Sequence, residues 1–362
     1  MVAQNEAKIL EAKSIVNKCI GKHGVWASPY RYKYQCWTRD FVIAVEDVLL
    51  NSGRSEIVKT HLSQLAKRQG PKGQIPIMFL DNTARWLAIK IRNSIRERRM
   101  SFLLKAFLSK EGVAGLSPWT RDSEFLFVIG VMKYVEKTQD HQFLVQHKKN
   151  LEKAIAYIEG NLMKNGLICG VDWRDTRPDL ADKFLLTNNC FLYQAYSTLG
   201  ENNKAENLRG EINRQFWNGN FYRDYPGVDN WDTLGNALSI LLGVAPLEYA
   251  KLIFKSAEEL NTPFGYKLNN VTLPPKNNKE AELMSRINQH GIILPFINGF
   301  MILAAIKAGL NDLAKTQFAK WNQTDGFFEW YDPMTGQGYG SKEQLWSAAL
   351  YLRTAEAISQ ID

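Results

Sequence analysis

The chain has 362 residues, of which 45% are hydrophobic and 23% charged, and its formal net charge is +8. These are ordinary globular proportions, and a basic balance indicates an anionic partner only where the charge is clustered. We interpret the basic run at 92–99 as a solvated helix face, with binding of an anionic ligand as the alternative. Neither nucleic acid nor a membrane is expected as a partner. The few His residues and the unpatterned Cys disfavour thiol, His-based, metal or cofactor chemistry; the cysteines are Cys19, Cys36, Cys169 and Cys190.

Targeting and membrane signals are not visible in the sequence. The N-terminal stretch MVAQNEAKIL lacks a basic segment followed by an apolar core, which a signal peptide would have. No apolar run approaches the roughly 18 residues that a membrane-spanning helix needs. We therefore expect a soluble, cytoplasmic protein with free thiols, and its oligomeric state stays open.

Helical periodicity dominates the chain, and strand-like alternation is scarce. Within 186–199, for example, Phe191, Ala195 and Tyr196 fall on one helical face. In chain order the pattern predicts twelve helices, at about 2–20, 40–52, 55–69, 122–138, 140–163, 186–199, 202–216, 232–243, 246–260, 290–308, 311–322 and 342–359. Glycines that suit the left-handed end of a helix follow three of them, namely Gly53, Gly200 and Gly309.

The linkers alternate between short and long. Short linkers make antiparallel helix hairpins, and the last helix would pair with the first. The sequence therefore predicts an all-α, six-hairpin (α/α)₆ toroid, as a single domain over 1–362. A helical solenoid is the structural alternative, but its loops would be more uniform and its sequence would repeat. The linker 70–121 is too long to lack structure, and we expect an additional helix around 84–108.

Aromatic and charged side chains are concentrated in the loops that precede every second helix. Such loops emerge on one rim of a ring of hairpins, so we expect their side chains to converge there. Together with Asn189, the candidate substrate-binding residues are Trp37, Arg39, Asp40, Trp119, Asp122, Trp173, Trp231, Asp232, His290 and Trp330.

This composition suits a carbohydrate. Apolar sugar faces stack on aromatic rings, and sugar hydroxyls accept charge-assisted hydrogen bonds from Arg and donate them to carboxylates. Hydrolysis of a glycosidic bond needs two carboxyl groups, one as acid and one as base or nucleophile. The loop carboxylates Asp172, Asp175 and Glu329 are the catalytic candidates, and Glu329 lies in the aromatic segment FFEWY.

Each candidate also has a purely structural interpretation. An Asp at the start of a helix is often an N-cap, which is an even alternative for Asp40, Asp122 and Asp232. A Trp at the same place often closes a hydrophobic end, as Trp231 would.

Several segments resemble known (α/α)₆ glycosidases. Trp37–Phe41 and the GQIP segment at 73–76 are similar to the opening of the glycogen-debranching amylo-α-1,6-glucosidases and the neutral/alkaline invertases. The segment FWNGNFYRD at 216–224 is similar to one found in many such enzymes. FEWYDPMTG at 328–336 resembles the invertase segment that carries a catalytic Glu, which implies a catalytic role for Glu329.

The second catalytic carboxylate has two candidates under this resemblance. Trp173-Arg174-Asp175-Thr176 resembles the acid-bearing motif of the debranching-type enzymes, whereas Gly170-Val171-Asp172 matches that of the trehalases. We favour Asp175 and keep Asp172. The invertases have an acidic residue where this chain has Asn188-Asn189, so sucrose is not the implied substrate.

The leading hypothesis is an inverting exo-glycosidase that acts on a small α-glucoside or oligosaccharide. One alternative is a non-catalytic carbohydrate-binding or scaffold toroid. Another is a related sugar enzyme such as an epimerase, but those use paired His residues, and only His290 lies near the predicted rim.

Overall fold

The computed structural model describes residues 2–96, 116–117, 119–175, 177–269 and 291–361. The described chain is mostly α-helical, as predicted. Its α-helices are Val2–Cys19, Thr38–Asp40, Glu46–Asn51, Ser55–Lys67, Thr83–Arg96, Ser123–Thr138, His141–Tyr157, Leu186–Thr198, Asn202–Phe216, Thr233–Leu241, Tyr249–Ala257, Pro295–Lys307, Asn311–Asn322 and Leu345–Ser359. π-Helical turns occur at Phe41–Val45 and Ile158–Leu162, and 3₁₀ turns at Pro178–Leu180 and Glu258–Leu260.

The predicted helices are confirmed with small shifts at their ends. The segment predicted at 40–52 is continuous from 38 to 51 but changes to π-helical geometry over Phe41–Val45. The helix predicted from 290 begins at Pro295, a residue suited to the first helical turn. The additional helix expected at 84–108 is present as Thr83–Arg96, and the rest of that prediction lies outside the described residues. The helix-ending glycines Gly53, Gly200 and Gly309 have φ of 75°, 76° and 72°.

Six helices contact one another in cyclic order, and we call them the inner helices. They are 38–51, Ser123–Thr138, Leu186–Thr198, Thr233–Leu241, Pro295–Lys307 and Leu345–Ser359, and the last of them packs against the first. Each pairs with an outer helix, and Ser123–Thr138 and Leu345–Ser359 also contact the outer helix of the preceding pair. For five of the inner helices the paired outer helix is the next helix in sequence, whereas Leu345–Ser359 pairs with the N-terminal helix Val2–Cys19. The pairing of the last helix with the first was predicted from the linker lengths.

The inner helices are buried on almost all sides, which explains their sequences. In Pro295–Lys307, for example, ten of thirteen residues are buried, including the polar Asn298, whose amide hydrogen-bonds to the backbone of Tyr266. Outer helices such as Asn202–Phe216 bury only a stripe, here Ala205, Leu208, Ile212 and Phe216. A helix that is apolar all round needs neighbours on every side, and a ring of outer helices supplies them.

Three short antiparallel hairpins, one antiparallel pair of strands distant in sequence and single bridges connect the loops at the N-terminal ends of the inner helices. The paired strands are Gln35–Trp37 with Met78–Leu80, Met163–Lys164 with Leu167–Ile168, Asn261–Thr262 with Gly265–Tyr266, and Trp330–Tyr331 with Gly338–Tyr339. Isolated bridges join Thr120 to Val171 and Ile293 to Tyr331. These loops therefore support one another and hold their side chains at one end of the ring.

The four cysteines are buried free thiols. Among the helices that the structure describes, none is both long and apolar enough to cross a membrane.

Candidate active site

Arg39 is the centre of a buried ionic cluster at the N-terminal ends of the inner helices. Its Nε donates to Asp122, its Nη2 donates to Asp175 Oδ1 at 2.7 Å, and its Nη1 donates to the Trp173 carbonyl at 3.2 Å. Burial opposes its charge, but Asp122 and Asp175 together raise the pKa of Arg39 above its ordinary value. One guanidinium thus joins three loops that the sequence analysis placed on the same rim.

Asp40, the residue after Arg39, is a further buried carboxyl of this site. Burial raises the pKa of its carboxyl to about 7, against the opposing effect of Arg39, and the charges of Asp175 and Glu329 raise it further. Asp40 is thus within electrostatic range of both Asp175 and Glu329, which come from loops far apart in sequence. No capping bond from the Asp40 or Asp122 side chain is present.

Glu329 is held by donors from two loops. Tyr32 Oη donates to its Oε1 at 2.9 Å, the Ser341 backbone N–H donates to its Oε2 at 2.9 Å, and Arg31 Nη1 lies 3.4 Å from the same oxygen. The side chain keeps 23% of its surface exposed. A Cβ at Gly340 would lie 2.5 Å from Glu329 Oε2, so only glycine leaves room for this carboxylate.

The two candidate acids have different environments. Asp172 is fully buried, and both of its oxygens accept from Arg174, at 2.9 Å from Nε and 2.8 Å from Nη2. Asp175 keeps 28% of its side chain exposed and contacts Arg39. Burial raises the pKa of Asp175 to about 6, and Arg39 opposes that shift. Asp172 is thus a loop anchor, and Asp175 faces the site.

Arg174 connects the loop that contains Asp172 and Asp175 to the loop that contains Asp224. Its guanidinium also binds both oxygens of Asp224, at 2.7 and 2.8 Å, and Asp232 lies close enough for the charges to interact. Burial first, and then the charge of Asp224, raises the pKa of Asp232 to about 7. The bidentate geometry on both sides fixes the direction in which Trp173 and Asp175 point.

Aromatic rings surround these carboxylates. Trp173 meets Phe296 edge-on at 6.0 Å between centroids, and Phe296 stacks on Trp346 at 4.1 Å. The indole N–H groups of Trp37, Trp173 and Trp346 are buried and have no hydrogen-bond partner among the described residues. Buried donors are normally paired, so unpaired donors of this kind suit a ligand rich in acceptor oxygens.

Other predicted site residues lie away from this cluster or serve the fold. Trp119 donates through its indole N–H to the Asp175 carbonyl at 2.9 Å and so supports that loop. Trp231 is 2% exposed with its indole N–H on Thr233, and Asp232 caps helix Thr233–Leu241 through the Leu234 N–H.

Two further candidates have structural contacts, and one lies outside the described chain. Asn189 is fully buried and bonds to backbone groups of Ile168 and Leu185. Trp330 stacks on Tyr339 at 4.5 Å in the hairpin that follows Glu329. His290 lies outside the described residues.

The sequence analysis missed several residues of the site. Tyr32 and Arg31 lie in the segment SPYRYKY, which precedes the recognised WTRD segment and in which tyrosines alternating with cations were the available signal. Phe296 and Trp346 lie in the first turns of inner helices, whereas the sequence analysis considered aromatic site residues only in the loops. Arg174 and Asp224 were visible as part of quoted motifs but had no assigned partners.

Replacing Arg174 by Met is expected to lower the free energy of unfolding by about 3–5 kcal/mol, because it leaves two buried carboxylates without their shared cation. The matched control is Arg177→Met in the same loop, since Arg177 pairs with Asp179, whose side chain is 53% exposed. An exposed pair contributes only about 0–1 kcal/mol. Urea denaturation of both variants measures the difference, and equal losses would contradict an anchoring role for Arg174.

No three His, Cys, Asp or Glu side chains are grouped so as to hold a metal ion in the part of the chain that the structure describes. The carboxylates around Arg39 instead accept hydrogen bonds from a guanidinium, a tyrosine hydroxyl and a backbone N–H group. Such an arrangement can hold polar hydroxyls, donate a proton and accept one.

Comparison with solved structures identifies the class of fold: the chain has the fold of a group of glycosidases. A wild-type glycosidase superposes with a TM-score of 0.69 and 12% identity, covering 99% of this chain and 97% of that chain. A variant glycosidase in complex with glucose gives 0.68 and 11% over the same shares.

The GH63 mannosylglycerate hydrolase from Thermus thermophilus, in complex with Tris and D-glycerate, has the same fold. It gives a TM-score of 0.64 at 15% identity over 95% of this chain and 99% of that chain. No family model matches the sequence, and no curated protein is detectably similar to it. At identities this low the likeness establishes the fold, and it agrees with the resemblance to six-hairpin glycosidases that the motifs indicated.

Proposed function

We propose that the chain is a glycoside hydrolase built on an (α/α)₆ toroid, with one catalytic domain and an inverting mechanism. The observation that carries the proposal is that Asp175, which contacts Arg39, and Glu329 both act electrostatically on the buried Asp40 at the N-terminal ends of cyclically arranged inner helices. Inverting enzymes place a carboxylic acid and a carboxylate on opposite sides of the scissile bond, about 6.5–9.5 Å apart, with water between.

Asp175 is the proposed general acid. A general acid must be protonated when the substrate binds and must then give its proton to the leaving oxygen. The pKa of about 6 that burial produces at Asp175 suits this task near neutral pH. Asp172 is the less suitable candidate, because both of its oxygens are occupied by Arg174 and it has no exposed surface.

Glu329 is the proposed general base, which removes a proton from the attacking water. Its contacts with Tyr32, Ser341 N–H and Arg31 are all made by donors, an arrangement that suits an ionised carboxylate. Burial and the neighbouring Glu329 raise the pKa of Tyr32, so its hydroxyl stays protonated and remains a donor. The exposed quarter of the side chain is the surface available to water.

The remaining residues form the proposed sugar subsite. Asp40 would accept hydrogen bonds from sugar hydroxyls, and the indole N–H groups of Trp37, Trp173 and Trp346 would donate to sugar oxygens. The aromatic faces of Trp173 and Trp346 would pack against the apolar face of the ring. Desolvation of Asp40 favours a bound ligand that replaces water with specific partners.

We propose a small carbohydrate substrate, such as an α-glucoside or an oligosaccharide. Arg31, whose side chain is 60% exposed, lies beside Glu329 and could bind an acidic aglycone. A mannosylglycerate hydrolase has the same fold, so glycosides of glycerate belong in the substrate panel beside neutral disaccharides.

Sugar release from a panel of aryl glycosides, disaccharides and glycosyl glycerates tests the proposal. We expect one class to be hydrolysed by wild-type protein and not by Asp175→Asn. Saturable sugar binding without release from any substrate would favour the alternative of a carbohydrate-binding toroid. A changed sugar without a new reducing end would instead indicate a related enzyme such as an epimerase.

A further inference from the structure

A cavity of about 210 Å³ lies inside the ring of inner helices, away from the candidate active site. All six inner helices contribute to its wall. Most wall residues lie about five to eight positions after the helix starts, which places them roughly 8–12 Å deeper along the axis at ~1.5 Å per residue. The cavity therefore belongs to the C-terminal end of the inner helices, whereas the candidate active site belongs to the N-terminal end.

Most residues of the cavity wall are apolar, and Gln194, Lys133 and Arg353 are the polar ones. Ile43, Ile129, Phe191, Leu238 and Phe300 form its inner part and are buried. Leu241, Leu242 and Leu303 are half-buried and mark its mouth. Apolar cavities of this kind do not hold ordered water well and accept apolar ligands instead.

Two cations border the mouth. Lys133 Nζ and Arg353 Nη1 each lie 3.1 Å from a carboxylate oxygen of Asp47, and their side chains are 21% and 24% exposed. Burial opposes ionisation of Asp47, but Lys133 and Arg353 together hold its pKa below its usual value, so its carboxyl is ionised. Lys137 adds a further positive charge nearby.

Another acidic residue of the same helix does not cancel this positive charge. Burial raises the pKa of Glu46 well above its ordinary value, despite the opposing effect of Lys133, and so keeps the carboxyl neutral. Its two oxygens are buried without a hydrogen-bond partner among the described residues. The mouth therefore has an excess of positive charge.

A π-helical turn fixes both cations at the mouth. In Phe41–Val45 the Ile43 carbonyl accepts from Arg353 Nη1 at 2.9 Å, and the Val42 carbonyl accepts from Lys133 Nζ at 3.4 Å. Val42 and Ile43 also line the cavity. π-Helical turns within α-helices are rare and often occur at functional sites. Here the turn joins an apolar wall to a positively charged entrance.

We propose that this cavity binds an amphiphilic anion, with an unbranched alkyl chain of medium length among the inner helices and a carboxylate beside Lys133 and Arg353. A volume of 210 Å³ corresponds to about seven water molecules at ~30 Å³ each, which matches a chain such as that of octanoate. The site is independent of the proposed hydrolase activity, so sugar release is not its readout.

Isothermal titration calorimetry of the full chain with octanoate tests the proposal. We expect saturable one-to-one binding with a negative heat-capacity change, the mark of apolar burial. Octylamine has the same chain and a cationic head. It should bind at least about tenfold more weakly, because it cannot make the charge-assisted contact with Lys133 and Arg353. Acetate, which has the head without the chain, should show no saturable heat.

Two variants and one control variant locate the binding. Lys133→Met should weaken octanoate about tenfold, whereas Lys137→Met, the same change one helical turn further on, should weaken it less than about threefold. Leu303→Trp fills the mouth and should abolish binding. Absence of saturable octanoate binding, equal affinity for octylamine, or unchanged affinity in Leu303→Trp would overturn the proposal, and the comparison of the two heads needs no variant.

Discussion

Replacing Glu329 by Gln is expected to lower kcat by at least about 10²-fold, the lower end of the usual contribution of general acid–base catalysis. The amide keeps the size of the side chain. Its oxygen can still accept from the Ser341 N–H while its NH2 group donates to the Tyr32 hydroxyl, but it cannot take a proton from water. Because these contacts also order the loop, KM and the unfolding midpoint should change little. Steady-state kinetics on the substrate identified by the panel measures the effect.

The control for this change is Asp332→Asn, an equivalent substitution three residues away. Asp332 Oδ1 accepts from the Met334 and Thr335 N–H groups and serves a turn. We expect its kcat to remain within about threefold of wild type, because Asp332 is not the proposed general base and its loss does not remove that ~10²-fold contribution. Wild-type-like turnover in Glu329→Gln, with normal folding, would refute the assignment of the base.

Replacing Asp175 by Asn is expected to lower kcat by about 10²–10⁴-fold on substrates whose leaving group needs protonation. The loss should be much smaller on a glycosyl fluoride or a dinitrophenyl glycoside, because those leaving groups depart without a proton. A purely positioning role would affect both kinds of substrate alike. The ratio of the two losses is therefore the measurement that separates an acid from a structural residue.

The pH dependence gives a second readout for Asp175. A group that acts as an acid works below its pKa, so kcat/KM of wild type should fall as pH rises through about 6. This limb should be absent when Asp175→Asn is assayed on the activated substrate. Asp179→Asn in the same loop is the matched control and should keep the wild-type profile. A basic limb that survives in Asp175→Asn would assign the acid role to another group, for which Asp40 is the neighbouring candidate with a raised pKa.

The order of the helices could be predicted because it depends on local features. Short linkers, left-handed glycines such as Gly53, Gly200 and Gly309, and helical periodicity all act within a few residues. The rim placement of Arg39, Asp122 and Asp175 followed from the same argument, since alternate helices in a ring of hairpins begin at one end. The structure brings these three side chains into direct contact.

The different environments and proposed roles of Asp172 and Asp175 could not be predicted from the sequence. Asp172 and Asp175 lie in one short motif, and the position of Arg174 between Asp172 and Asp224 separates the fully buried Asp172 from the partly exposed Asp175, the proposed acid. That contact spans 50 residues and depends on how two loops pack. Likewise, Asn189 and Trp231 are buried by neighbours that no local pattern identifies.

The π-helical turn at Phe41–Val45 was equally invisible in the sequence. The segment FVIAV has no proline or glycine to signal an irregular helix. Its carbonyls accept from Lys133 and Arg353 on two other helices, and such long-range contacts have no local signal.

The anomeric form of the first sugar released tests the central proposal most directly. Proton NMR recorded during hydrolysis of an α-linked substrate should show the β-anomer appearing first, followed by slow mutarotation, because water attacks from the face opposite the leaving group when Glu329 acts as base. Initial release of the α-anomer would contradict the single-displacement mechanism, and no release of sugar from any substrate in the panel would contradict the proposed hydrolase activity itself.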